Sequence, residues 1–122
     1  MVADRRVFEE VLERLEPLGD VTGKAMFGGF GFWETGDMFG LLDGGGQLHL
    51  KVDDESVQDY RDAGCEPFQP HMAGGRQMTS RSYWTVPDEV LADDDRFVAW
   101  ARRAVDVGHA TARRRPARPR SG

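Results

Sequence analysis

The chain has 122 residues, 39% of them hydrophobic and 30% charged, which is typical of one soluble globular domain with a modest core. No stretch approaches the roughly 20 apolar residues needed to span a bilayer. The acidic start "MVADRRVFEE" lacks the apolar segment of a signal peptide. A single cysteine excludes an internal disulfide. Together these features predict a cytoplasmic protein.

The formal net charge of −5 is distributed unevenly along the chain. The last ten residues contain no acid and five arginines: Arg113, Arg114, Arg115, Arg118 and Arg120. Removing these five positive charges from −5 leaves −10 for residues 1–112. We expect the acidic body to repel nucleic acid and the arginine tail to attract it weakly, without sequence specificity. The alternative is a tail that is only solvated.

The first predicted element is a helix. Apolar residues from Val7 to Leu15 recur at the spacing of one helical face. Asp4 is placed as its N-cap, and Pro17 with Gly19 ends it.

Residues 24–52 have the composition of strands. Three runs, "KAMFGGFGFWE", "MFGLL" and "QLHLKV", are separated by the turn compositions "TGD" and "DGGG", which predicts a three-stranded antiparallel meander. In the first run, Gly28, Gly29 and Gly31 match neither a dinucleotide fingerprint nor a P-loop. We therefore place the glycines inside one strand, where they allow close backbone approach.

The second half of the chain predicts two more helices. A short helix follows Asp53 and ends at Gly64, and a longer one follows Asp93. Between them, residues 65–80 form a long loop with a short strand at 67–69, and "RSYWTVP" forms a strand. The fold class is α+β with two layers: helix, three-stranded meander, helix, one or two strands, helix. Residues 1–108 form the domain, and 109–122 are expected to be a disordered tail.

The order of these segments resembles a known family. The similar pattern is the glycine-rich run "MFGGFG", a Met-Phe strand, "LHLKVD", and "SYWTVP" before the alanine-rich helix "FVAWARRA". Over roughly residues 5–107 the chain resembles the N-terminal domain of the TfoX/Sxy family.

The resemblance implies a fold like that of secretion chaperones and a link to transcription. The family is named for regulators of competence genes, thought to act with the cyclic-AMP receptor protein. Those regulators carry a second domain of helix-hairpin-helix character, whereas this chain has only the arginine tail after Gly108. It therefore resembles the stand-alone version of the domain. The resemblance carries over no catalytic residue and no cofactor.

Metal binding and catalysis are disfavoured by residue spacing. Cys65, His49, His71 and His109 show none of the paired ligand spacings of zinc sites. A catalytic Cys65–His pair would need convergence and an orienting group that nothing in the sequence indicates. A pocket near Cys65, His71 and Arg76 nevertheless remains the alternative, as a small ligand-binding domain or enzyme.

The leading functional hypothesis is a non-enzymatic interaction domain. A basic and aromatic segment in an acidic body is suited to an anionic or peptide partner. The candidate partner-binding residues are Lys51, Arg76, Arg81, Tyr83 and Trp84. A homodimer formed through an uncovered strand edge or sheet face is a further alternative.

Overall fold

The computed structural model describes residues 4–26, 28–69 and 80–114. These residues form the helices α1 (Arg5–Arg14), α2 (Val57–Asp62), α3 (Asp88–Leu91) and α4 (Asp94–Arg114), and a short 3-10 helix covers Glu16–Leu18. They also form the strands β1 (Val21–Met26), β2 (Gly29–Glu34), β3 (Asp37–Leu42), β4 (Leu48–Lys51), β5 (Pro67–Phe68) and β6 (Ser80–Thr85). The α+β fold class is confirmed.

All strands join one antiparallel sheet in the order β1-β2-β3-β4-β6-β5. The first four strands are consecutive neighbours, so the meander has four strands rather than the predicted three. β6 lies between β4 and the short edge strand β5, which accounts for the two strands after α2. A register shift between Phe32 and Trp33 marks a bulge in the β2–β3 pairing.

The glycine-rich run contains a hairpin, so the prediction that it forms one strand is wrong. β1 ends at Met26 and β2 begins at Gly29, with these two residues paired across the turn. Gly28 has φ +79°, which a glycine adopts without strain. The prediction of close approach is confirmed, because a Cβ on Gly29 would overlap the Leu42 carbonyl oxygen. Apolar residues on both sides of the turn hid it from the sequence pattern.

Predicted helix caps are found in the structure. The Asp4 carboxylate accepts a hydrogen bond from the Arg6 backbone N–H at 2.8 Å. The Asp93 carboxylate accepts one from the Arg96 backbone N–H at 3.1 Å. Each satisfies an amide that the first turn of a helix leaves unpaired.

The predicted domain boundary at 108 falls inside α4. The helix continues to Arg114, so the prediction of disorder is wrong for residues 109–114. His109, Ala110 and Thr111 are half-buried, which shows that contacts sustain the helix past Gly108. Residues 115–122 lie outside the described residues, and their disorder stays a prediction.

The helices cover one face of the sheet. Their buried side chains join the sheet in a single core cluster, in which Phe8 of α1 stacks on Phe30 at 4.1 Å between ring centroids. The strand residues of this covered face are Phe30, Phe32, Phe39, Leu42, Leu48, Leu50 and Trp84. Alternation along the strands places a second set on the opposite face, which no helix of the described residues covers and which is called the helix-free face below. That set is Thr22, Lys24, Met26, Gly31, Trp33, Met38, Leu41, His49, Lys51, Tyr83 and Thr85.

Candidate protein interface on the helix-free sheet face

The centre of the helix-free face buries Leu41 and His49. Leu41 is 8% exposed, yet it does not belong to the core cluster under the helices. His49 pairs with it across β3 and β4 and is 3% exposed. The face therefore has its own small buried centre.

His49 is held there by one hydrogen bond and one ring contact. Its Nδ1 lies 3.1 Å from the Gln47 carbonyl oxygen, so Nδ1–H donates in the neutral ring. Phe68 packs edge-on against the imidazole at 4.9 Å. Burial lowers the pKa of His49 below its usual value, and Asp43 and the Gln47 bond only partly oppose this effect. A neutral histidine is thus part of an apolar surface.

Trp33 covers the sheet beside this centre. A Cβ on Gly31 would lie 2.7 Å from both the Trp33 ring and the Met26 sulfur, so these two side chains occupy the space above that glycine. Lys24 lies over the same indole, with Nζ 5.7 Å from a ring centroid. Trp33 and Met38 are both half-buried and paired across β2 and β3. Trp33 and Met38 together form an apolar strip, with the Lys24 cation at its β1 end.

A second cation and aromatic ring lie at the β4–β6 end. Lys51 pairs with Tyr83, and its Nζ is 4.7 Å from the Tyr83 centroid. Both side chains are half-buried. The structure therefore brings together two of the predicted partner-binding residues, Lys51 and Tyr83.

The other predicted partner-binding residues are Trp84, Arg81 and Arg76. Trp84 points into the core, is 8% exposed, and donates its Nε1–H to the Arg81 carbonyl at 3.0 Å. Trp84 therefore belongs to the covered face, and its contact with a partner stays a prediction. Arg81 has an exposed side chain near the start of β6, where the pairing with β5 shifts register. Arg76 lies outside the described residues.

Sequence reasoning missed Lys24, Met26, Trp33 and Met38 as members of this surface. The signal was present in the alternation of β2, but reading the glycine-rich run as one strand separated Lys24 and Met26 from their true partners. Once the turn is placed at Gly28, Lys24 pairs with Gly31 and Met26 with Gly29. This register places the side chains of Lys24, Met26, Trp33 and Met38 on the same face of the sheet.

The alternative pocket near Cys65 receives little support. Its other two residues, His71 and Arg76, lie outside the described residues. Cys65 itself is half-buried, and burial raises the pKa of its thiol despite a hydrogen bond with Thr85. A raised pKa disfavours the nucleophilic thiolate. Within the described residues, no group of three or more His, Cys, Asp or Glu side chains could hold a metal ion.

A cleft of about 390 Å³ lies between α1, the β3–β4 turn and α3. Its principal cation, Arg14, is already engaged: the guanidinium donates to the Leu91 carbonyl at 2.7 Å and to Asp94 at 3.2 Å. The same group lies 4.2 Å from the Phe97 centroid. These contacts fix Arg14 as a link between α1 and the α3–α4 region.

A second polar cluster joins the end of α4 to the β2–β3 turn. His109 Nδ1 lies 2.6 Å from Asp37 and Nε2 lies 2.6 Å from Glu34. Two carboxylate acceptors require both ring nitrogens to donate, which only the imidazolium can do. The hydrogen bonds to Asp37 and Glu34 therefore raise the pKa of His109. The sequence showed these residues 72 and 75 positions apart, with no local signal for the cluster.

Two of the five candidate nucleic-acid residues lie in the last turn of α4. Arg113 and Arg114 form exposed positions in the last turn of that helix. There they complement the negative end of the helix dipole, which gives them a structural role without any ligand. Arg115, Arg118 and Arg120 lie outside the described residues, and their contact with nucleic acid stays a prediction.

The fold and this surface define a two-layer α+β domain with one sheet face covered by helices and the other carrying an aromatic strip with two cations. No described helix is long and apolar enough to cross a membrane. The family model described as "TfoX N-terminal domain" matches residues 13–108, and the chain therefore belongs to that family. No curated protein is significantly similar to the chain. The family is not a known enzyme family.

Proposed function

We propose that the chain is a non-enzymatic interaction domain that binds a protein partner through the helix-free face and regulates transcription through that partner. The observation that carries this proposal is the strip of half-exposed apolar side chains, Trp33 and Met38, between two ring-bound lysines. Contiguous exposed apolar surface rimmed by polar groups is characteristic of interaction sites. Aromatic and methionine side chains are enriched in such sites.

The regulatory part of the proposal comes from the family. The chain resembles the N-terminal domain of competence regulators, which supports a role next to transcription machinery. The acidic body makes direct binding to DNA unfavourable, and the arginine residues after 112 supply at most a weak, salt-sensitive contact. A protein partner is therefore the better candidate.

Site-specific photocrosslinking in a native extract tests the proposal. A photoreactive phenylalanine analogue replaces Met38 on the helix-free face, and a matched variant carries it at the exposed Ala99 of α4. The extract is treated with nuclease before irradiation. A discrete protein adduct from position 38, with none from position 99, is expected. Identical adducts from both positions, no adduct, or an adduct removed by nuclease would contradict the proposal.

A further inference from the structure

The strand β1 lies at one edge of the sheet, and within the described residues it pairs on one side only, with β2. The Thr35 backbone N–H donates to the Asp20 carbonyl oxygen at 3.1 Å, so this pairing begins one residue before β1. Backbone groups point alternately to the two sides of a strand, so the even-numbered residues of β1 point theirs at β2. Gly23 and Ala25 therefore point theirs away from it. β1 thus offers backbone donors and acceptors to a further strand.

The opposite edge of the sheet does not match β1. The strand β5 has two residues, and the first of them, Pro67, has no backbone N–H. Addition of β1 to β5 of another copy would therefore form few ladder hydrogen bonds. Two copies of β1 match each other in length, and an antiparallel pair of them is related by a two-fold axis. The β1 edge is therefore suited to the same edge of a second copy of the chain.

Two exposed charges at this edge complement each other between copies. Asp20 and Lys24 are four residues apart, which separates them by about 13 Å along one extended chain. None of the ion pairs among the described residues includes either of them. When the two-fold axis passes Thr22, Asp20 of each copy lies directly opposite Lys24 of the other. Their Cα atoms are then about 4.5 Å apart, because this is a pair without mutual backbone hydrogen bonds, and the side chains can form an ion pair.

The neighbouring registers lack this complementarity. In a register centred on Gly23, Lys24 of one copy lies opposite Thr22 of the other. Asp20 then lies opposite Met26, and no ion pair forms. In a register centred on Lys24, the two lysines lie opposite each other, which is unfavourable. The charges therefore favour the register centred on Thr22.

Half-buried apolar side chains also lie at this edge, on the face that the helices cover. Leu12 of α1 lies above Gly23, because a Cβ on that glycine would be 3.3 Å from a Leu12 methyl group. In the register centred on Thr22, Gly23 of one copy lies opposite Val21 of the other. The two-fold axis is perpendicular to the sheet, so the helices of both copies lie on the same side. Leu12 of each copy can therefore pack on Val21 of the other, which buries two side chains that are half-buried in one copy.

We propose that the chain forms a two-fold homodimer in which the β1 strands pair antiparallel about Thr22, with Asp20 of each copy opposite Lys24 of the other. The sheet then continues from one copy into the next. The inference goes beyond the proposed function and does not depend on it, because the strand edge and the apolar strip of Trp33 and Met38 are different surfaces. Backbone hydrogen bonds and the Leu12–Val21 contact hold the strands together, and the ion pairs select their register.

Charge reversal with rescue tests the pairing, with dimerisation of the full chain measured by sedimentation equilibrium. Asp20→Lys and Lys24→Asp should each weaken the dimer at least tenfold, because either change turns two attractive pairs into two repulsive ones. The double variant Asp20→Lys/Lys24→Asp should regain the parent dissociation constant within about threefold, because it only exchanges the charges. Asp106→Lys and Arg96→Asp make the same charge changes at exposed positions of α4 and are the matched controls.

Disulfide formation tests the register. In a Cys65→Ser background, Thr22→Cys places two thiols opposite each other at the axis, within the Cα separation that a disulfide requires. Lys24→Cys in the same background is the matched control, because its two copies would be about 13 Å apart. Mild oxidation should cross-link the first variant and leave the second uncross-linked. Circular dichroism establishes that all variants are folded.

A chain that stays monomeric at about 100 µM, far above a micromolar dissociation constant, would overturn the dimer. A dimer insensitive to both charge reversals, a double variant that does not regain it, or cross-linking at position 24 in preference to 22 would also overturn it. A monomeric chain that still gives a protein photoadduct from position 38 would overturn the dimer and leave the proposed function intact.

Discussion

The two faces of the sheet bury apolar side chains in different ways. On the covered face Phe32 and Phe39 are fully buried beneath the helices. On the helix-free face Trp33 and Met38, their immediate neighbours in sequence, are half-exposed. One face is closed by the domain's own helices, whereas the other presents large apolar side chains at its surface. The covered face therefore contributes the core of the domain, and the half-exposed side chains of the other face form the proposed interface.

Adjacent substitutions on β2 give the largest and most direct test of this comparison. Phe32→Ala should lower the free energy of unfolding by about 3–5 kcal/mol, because it opens a cavity under the helices. Trp33→Ala should cost only about 1–2 kcal/mol, because the ring is partly exposed already. Urea unfolding of both variants measures the difference. Equal decreases in the free energy of unfolding would contradict the difference between the two faces.

Gly108 tests how closely the helix layer approaches the sheet. A Cβ at this position would lie 2.8 Å from the Met38 carbonyl oxygen, and backbone cannot easily move away. Gly108→Ala should therefore destabilise the domain by about 1–3 kcal/mol, although alanine is the better helix former.

Gly45→Ala is the matched control for that substitution. The new methyl group would meet only the Asp43 side chain at 3.5 Å, and the residue is exposed. Its stability should stay within about 0.5 kcal/mol of the parent chain. A stabilising Gly108→Ala change would show that α4 does not pack as described.

The pKa values of the two described histidines should be shifted in opposite directions from the ordinary histidine value. His109 has a raised pKa, so its contribution to stability is complete below pH 6.5 and is lost as the pH rises through the folded-state value. His49 has a lowered pKa, so its contribution is complete above pH 6.5 and is lost as the pH falls through the folded-state value. NMR titration of the imidazole signals, assigned with His109→Gln and His49→Gln, measures both.

Removing His109 should also change the pH dependence of unfolding. The free energy of unfolding of the parent chain should fall by about 1 kcal/mol as the pH rises above the His109 pKa. The decrease is small because the ring is partly exposed to solvent. His109→Gln should lack this loss. A variant with the same pH profile as the parent would contradict the link between α4 and the β2–β3 turn.

The smallest effect on stability should come from the lysines of the helix-free face. Lys24→Gln removes a partly solvated cation over Trp33, which is worth about 0.5–1 kcal/mol at an exposed site. Thermal unfolding should therefore change little. A loss comparable with that of Phe32→Ala would mean that the cation is part of the structural core.

Much of the fold could be predicted from local patterns. The helical spacing from Val7 to Leu15 and the caps at Asp4 and Asp93 report interactions within a few residues of chain, and such signals are legible in one sequence. The hairpin at Gly28 was missed because apolar residues continue on both sides of it. The end of α4 was placed too early because its last turns are held by contacts with Glu34 and Asp37, not by an apolar periodicity of their own.

The candidate site could be predicted only in part. Lys51, Tyr83 and Trp84 were named together because they belong to a conspicuous basic and aromatic composition. Only Lys51 and Tyr83 lie on the helix-free face, because composition does not show which way a side chain points. Lys24 and Trp33 required the strand register before they could be placed together. A change of one residue in register moves a side chain to the other face of a sheet.

By itself the sequence determined the α+β class, the family pattern, the acidic body and the positions of most elements, because these depend on composition and on short-range spacing. The tertiary structure alone decided which sheet face the helices cover, how residues 34, 37 and 109 meet, and that both lysines share one surface. These features depend on strand order and register, which arise when distant segments bury their apolar surfaces against each other. The proposed interface belongs to that second group.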